Sequence, residues 1–162
     1  MFHKDPLIND PQTNYNLFLE NIEGYITSSL PLVANLANFS ALVAYFFDHV
    51  NWAGFYLMHQ DRLVLGPFQG LPACTEIAIG KGVCGTSALL RKTVVVPKTA
   101  EFPGHIVCDD ASLSEIVVPI IKDGVLIGVL DVDSPLENRF GSLEQEYLER
   151  AVKILIDNIA TL

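Results

Sequence analysis

The chain carries three cysteines, Cys74 and Cys84 within "GPFQGLPACTEIAIGKGVCGTSA" and Cys108 within "GHIVCDDASLSEIVVP". An odd number of thiols cannot all pair with one another. In a cytosolic setting, thiols serve catalysis or redox sensing more often than they staple a fold. Cys84 follows a glycine-rich turn at the start of a short helix, where the partial positive charge favours a thiolate. A small buried hydrophobe is the competing reading of that residue. Cys108 precedes Asp109 and Asp110, whose charges raise a thiol's pKa. Metal ligation is not expected: His105 and Cys108 stand three apart, but the chain lacks a C-x-x-C pair. No G-x-S-x-G nucleophile motif is present.

Carboxylates form the second candidate set. In "VLIGVLDVD", strand alternation puts Val125, Ile127, Val129, Asp131 and Asp133 on one face. Glu115, Val117, Pro119 and Ile121 share a face of the preceding strand. Whether the two faces coincide depends on the turn. A two-residue Asp123-Gly124 loop would pair Lys122 with Val125 and put Glu115 on the wrong side. A three-residue loop, Lys122-Asp123-Gly124, would pair Ile121 with Val125 and set Glu115 opposite Asp131. The expected result is an apolar stripe ending in Glu115, Asp131 and Asp133. Crowded negative charge raises at least one pKa, which suits binding of an ammonium group and donation of a proton. The plainer reading is a solvated strand end. An aromatic pair is the third set. Trp52 and Tyr56 share a strand face with Gly54 between them, a hollow that could wall a pocket or serve core packing.

Gly80, Gly82 and Gly85 match G-x-G-x-x-G, the spacing of a dinucleotide-binding turn. The helix expected after them, from Thr86 to about Lys92, is too short for that role, and the chain lacks room for two mononucleotide-binding halves. The glycines are better read as a tight turn that leaves Cys84 at a helix start.

The elements that must hold these residues are legible in outline. Tyr15, Phe18, Leu19, Ile22, Tyr25 and Ile26 recur at helical spacing, and Pro31 suits the first turn of a second helix bearing Leu32, Leu36, Phe39, Val43 and Phe46. "NWAGFYLM" and "RLVLGPF" read as strands joined at His59-Gln60-Asp61, followed by "TEIAI", "TVVVP", "SEIVVPII" and "VLIGVLDVD". A last helix starts at Ser142, with Gln145 completing a capping box. The expected fold is α+β, a single domain over 1–162 with a central antiparallel sheet flanked by helices from the terminal segments. Residues 1–14 form a polar arm and 51–135 the catalytic part. A length of 162 residues with 50% hydrophobic content supports one core. A net charge of -9 argues against nucleic acid and anionic membrane surfaces. The polar start is no leader peptide, and no apolar run reaches a membrane span, so a cytoplasmic protein is expected.

"NWAGFYL", "LGPFQGLPAC", "GKGVCGTSA", "FPGHIVCD", "SEIVVPI" and "IGVLDVDSP" resemble, in order and spacing, the free methionine-(R)-sulfoxide reductase family, whose members are GAF-type domains. The resemblance covers Asn51 to Pro135 closely, and all three cysteines match. It implies a thiol reduction of free methionine sulfoxide: Cys108 attacks, Cys74 or Cys84 resolves, and thioredoxin or a similar dithiol regenerates the enzyme. It implies that Glu115, Asp131 and Asp133 hold the substrate's ammonium, with one of them supplying the proton, and that Trp52 and Tyr56 wall the sulfoxide end. No bound cofactor is implied, and a homodimer is. A stand-alone GAF-type sensor of small molecules or redox state is the alternative; sensors are usually fused to output domains.

Overall fold

A computed structural model describes residues 7–104 and 111–159 of the chain. Its elements are α1 (Pro11–Tyr25), α2 (Leu32–Phe46), β1 (Trp52–His59), β2 (Arg62–Gln69), β3 (Glu76–Ala78), α3 (Gly82–Leu90), β4 (Val94–Val96), a 3-10 turn at Thr99–Glu101, β5 (Ser114–Lys122), β6 (Val125–Ser134) and α4 (Ser142–Asn158). The strands form one antiparallel sheet in the order β3-β2-β1-β6-β5-β4. Alternation of side chains across the strands divides the interior into two layers. Phe55, Ile116, Leu130 and Val132 face α1, α2 and α4, whereas Trp52, Tyr56, Val117 and Val129 face the side that α3 covers.

Local chemistry sets the helix boundaries. Asp10 caps α1 by accepting the Thr13 N–H at 3.3 Å, and Pro11 occupies the first turn, where its missing donor costs nothing. Tyr15, Phe18, Leu19 and Ile22 of α1 are buried in the main core. Pro31 stands one place earlier than expected, as the cap of α2. The capping box expected at Ser142 is displaced by one residue: Gly141 is the cap, and Glu144 accepts its N–H at 2.8 Å. Glycine has no side chain to return the bond, so half of the box is missing. Gln145 instead donates to Glu149 at 2.8 Å.

The β5–β6 hairpin departs from expectation in a way that matters to the site. Its turn is the two-residue Asp123-Gly124, with φ of 50° and 78°, and Lys122 pairs with Val125. A bulge between Ile120 and Ile121 then lets β6 gain one residue at Ile127. Beyond it Glu115 pairs with Asp133, and Val117, rather than Glu115, lies opposite Asp131. The bulge also moves Ile127 to the helix-packed face, away from Val129. The face assigned to the acidic residues holds, because a shift of two residues preserves strand parity.

Candidate active site

The cavity on the α3 side of the sheet is lined by Trp52, Tyr56, Cys84, Glu115, Asp131 and Asp133, among others. Adjacent strands bring the acidic groups together. Glu115 on β5 sits across from Asp133 on β6, and Asp131 lies two residues along, flanked by Val117 and Gly54. Glu115 and Asp131 are each 6% exposed, which is rare for carboxyl groups. Burial pushes both well above the usual carboxylate range, with the Asp133 charge adding to the effect on Glu115 and Glu115 adding to that on Asp131. Asp131 Oδ1 is buried and lacks a hydrogen-bond partner. Such an oxygen is a standing invitation to a donor or cation.

Cys84 lies in the first turn of α3, as the glycine pattern suggested. Gly80 and Gly82 take φ of 81° and 58°, and a Cβ on Gly85 would come within 2.4 Å of the Ala78 carbonyl oxygen. The three glycines therefore serve a tight turn and close packing of α3 on β3. Gly85→Ala should lower stability by about 1–3 kcal/mol through overpacking. In a domain of this size that is a fall of roughly 2–4 °C in Tm per kcal/mol, read by thermal denaturation.

Of the two readings of Cys84, its surroundings favour the buried thiol over the thiolate. Its thiol is buried and points at Glu115 Oε1 at 4.0 Å. Burial first, then the Asp131 and Glu115 charges, push it well above the ordinary thiol value. A helix terminus contributes about 0.3–1 kcal/mol, too little to offset desolvation beside carboxylates. Cys84 is a free thiol, whereas Cys74 is disulfide-bonded. Cys108 and His105 lie outside the described residues.

The aromatic wall is built, but the hollow at Gly54 is filled. The Trp52 ring stacks on Tyr56 at 5.9 Å and on Phe68 at 5.3 Å, and a Cβ at Gly54 would stand 2.3 Å from the Phe68 Cβ and 2.7 Å from the indole. Gly54 makes room for the rings themselves, not for a ligand. The Trp52 indole N–H donates to the Leu71 carbonyl at 3.1 Å, and the Tyr56 hydroxyl donates to the Cys74 carbonyl at 3.0 Å. The two rings thus fix the segment that carries Cys74 over the cavity.

Lys81 and Ser112 also line the cavity and were not anticipated. Lys81 stands between glycines just ahead of α3, a signal the sequence did offer. Ser112 has no comparable mark; its hydroxyl accepts from Asn51 at 3.1 Å.

An antiparallel sheet with α1, α2 and α4 on one face and an acidic, thiol-bearing cavity on the other defines the class. The GAF domain family matches residues 31–158, and this chain is a GAF domain. The free methionine-R-sulfoxide reductase of Escherichia coli is 46% identical over 129 residues, covering 80% of this chain and 78% of that protein. The Saccharomyces cerevisiae protein of the same name is 39% identical over 165 residues, covering 94% and 92%. The structure of the Neisseria meningitidis free methionine-R-sulfoxide reductase in complex with its substrate superposes with a TM-score of 0.92 at 41% identity, covering 98% of this chain and 95% of that one. Within the GAF class, the chain belongs to the free methionine-R-sulfoxide reductase family.

Proposed function

We infer that the protein reduces free L-methionine-(R)-sulfoxide to L-methionine by thiol chemistry. The observation that carries this reading is the acidic group itself: buried Glu115 and Asp131 and half-buried Asp133 face one cavity beside a thiol and an aromatic wall. A free amino acid brings an α-ammonium to offset that charge; a methionine sulfoxide within a peptide brings none. Asp131 and Asp133 clamp the ammonium, and Lys81 stands at the rim for the α-carboxylate. Trp52 and Tyr56 wall the sulfoxide end.

In the reaction, the Cys108 thiolate attacks the sulfoxide sulfur while protonated Glu115 delivers its proton to the oxygen. The sulfur–oxygen bond of the substrate breaks, methionine departs, and the oxygen remains on Cys108 as a sulfenic acid. The resolving thiol condenses with it, releasing water and leaving a disulfide, which thioredoxin or a similar dithiol reduces. Two facts favour Cys74 over Cys84 as that resolving thiol. Cys74 already takes part in a disulfide, whereas Cys84 is buried and held protonated. No cofactor enters these steps.

The enzyme works in the cytoplasm as a homodimer. Helix α1 buries its apolar stripe in the protomer's own core and leaves other surfaces for the subunit contact. Purified protein with dithiothreitol should release methionine from the free R epimer. It should leave the S epimer and a blocked peptide of methionine sulfoxide essentially untouched. Equal turnover of the peptide would overturn the ammonium assignment.

A further inference from the structure

The same chamber contains a second kind of ligand set. Cys84 Sγ, one carboxylate oxygen of Glu115 and one of Asp131 all lie within 4.8 Å of one another, and all three residues are buried. Thiolate and carboxylate together suit borderline divalent cations such as zinc. An independent feature points the same way. Asp131 is 6% exposed, lines the cavity, and keeps its Oδ1 without a hydrogen-bond partner. A buried carboxylate oxygen left unmatched is costly unless a donor or cation reaches it. The substrate's ammonium is one such visitor. A metal ion is another, and it engages the adjacent thiol as well.

We propose that Cys84, Glu115 and Asp131 form an inhibitory site for a thiophilic divalent cation, which occupies the ground that the substrate's ammonium requires. Zinc bond lengths of about 2.3 Å to sulfur and about 2.1 Å to oxygen place tetrahedral ligands about 3.4–3.6 Å apart. The Cys84–Glu115 separation of 4.0 Å is already close to that, so small side-chain rotations complete the set. The open fourth position faces the cavity and takes water. Metal-loaded protein then cannot seat the amino acid, and a chelator restores it. Binding of the cation stands on these three residues alone; its competition with substrate rests on the ammonium assignment made above.

The test uses protein with its Cys74 disulfide intact, so that Cys84 supplies the thiol. Zinc is titrated against a chromogenic chelator, without turnover. One equivalent should bind, Cys84→Ser and Asp131→Asn should each weaken binding at least roughly 10-fold, and saturating methionine sulfoxide should raise the apparent Kd for zinc. Cobalt should give a thiolate charge-transfer band in the wild type that Cys84→Ala lacks; this needs only that the variant melts cooperatively. No zinc uptake by the wild type, or undiminished uptake by Cys84→Ser, overturns the site. Zinc binding that ignores methionine sulfoxide overturns its inhibitory role. Activity assayed without metal reports separately on the reductase reading.

Discussion

Asp131→Asn lowers kcat/KM for free methionine sulfoxide by roughly 30- to 5,000-fold and, in the same protein, raises the melting temperature. The two effects share one cause. Asp131 is buried beside Glu115 and across from Gly54, with Oδ1 unmatched, so its charge is useful only when a cation arrives. Removing one partner of a buried charge pair costs about 2–5 kcal/mol of binding, a factor of roughly 30 to 5,000 in rate. Without substrate the same carboxylate is a burden. Burial and the Glu115 charge raise its pKa in the folded state, so folding favours its protonated form. That contribution is fully present below the ordinary carboxylate range and is lost as pH rises through the raised value. Asn cannot ionise, so the variant's Tm should vary less than the wild type's between about pH 5 and about pH 8. Each kcal/mol recovered appears as roughly 2–4 °C. Glu115→Gln should behave alike in stability. It should also flatten the high-pH side of the kcat profile, where the wild type loses activity as its proton donor ionises. A pH series of melts and initial rates reads all of this. A variant that is both less stable and fully active would sink the assignment.

What the sequence made legible follows from the range of the forces involved. Parity along a strand is local, so the shared face of Asp131 and Asp133 could be read from alternation alone, whereas the place of Glu115 beside them depends on the turn and the bulge. The register of the two strands could not be read that way. A bulge at Ile127 depends on how β6 bends between β1 and β5, and no residue type announces it. The apolar period made helix α1 legible but not its start, because Asp10 and Pro11 open the helix inside the segment expected to be a polar arm. The environment of Cys84 stayed open in the sequence for the opposite reason. Its place at a helix start is a local feature and was correct, but its pKa is governed by carboxylates 31 residues and more away in the chain. Gly54 shows the same limit: the gap it leaves is visible in sequence, and the Phe68 Cβ that closes it comes from the neighbouring strand.

Substitution of the cysteines one at a time should separate the two halves of the cycle, and here the effects are largest. In a single turnover without reductant, Cys108→Ser should release no methionine, a loss of at least roughly 10³-fold, because a hydroxyl cannot replace a thiolate as nucleophile at neutral pH. Cys74→Ser should release one equivalent and then stop, its sulfenic acid trapped by a dimedone-type reagent. The Tyr56 hydroxyl and the Trp52 indole hold the Cys74 segment against the cavity, so resolution depends on a thiol whose reach is already fixed. Cys84→Ser should still deliver its first equivalent and still close a disulfide. Its thiol is buried, protonated and 4.0 Å from Glu115, and contributes neither the attack nor the resolution. Mass spectrometry of the products distinguishes the sulfenic acid from the disulfide in each variant. If Cys108→Ser still yields one equivalent of methionine while Cys84→Ser yields none, the nucleophile is Cys84. Its raised pKa would then have to fall when substrate binds, as the ammonium offsets the Asp131 and Glu115 charges beside it.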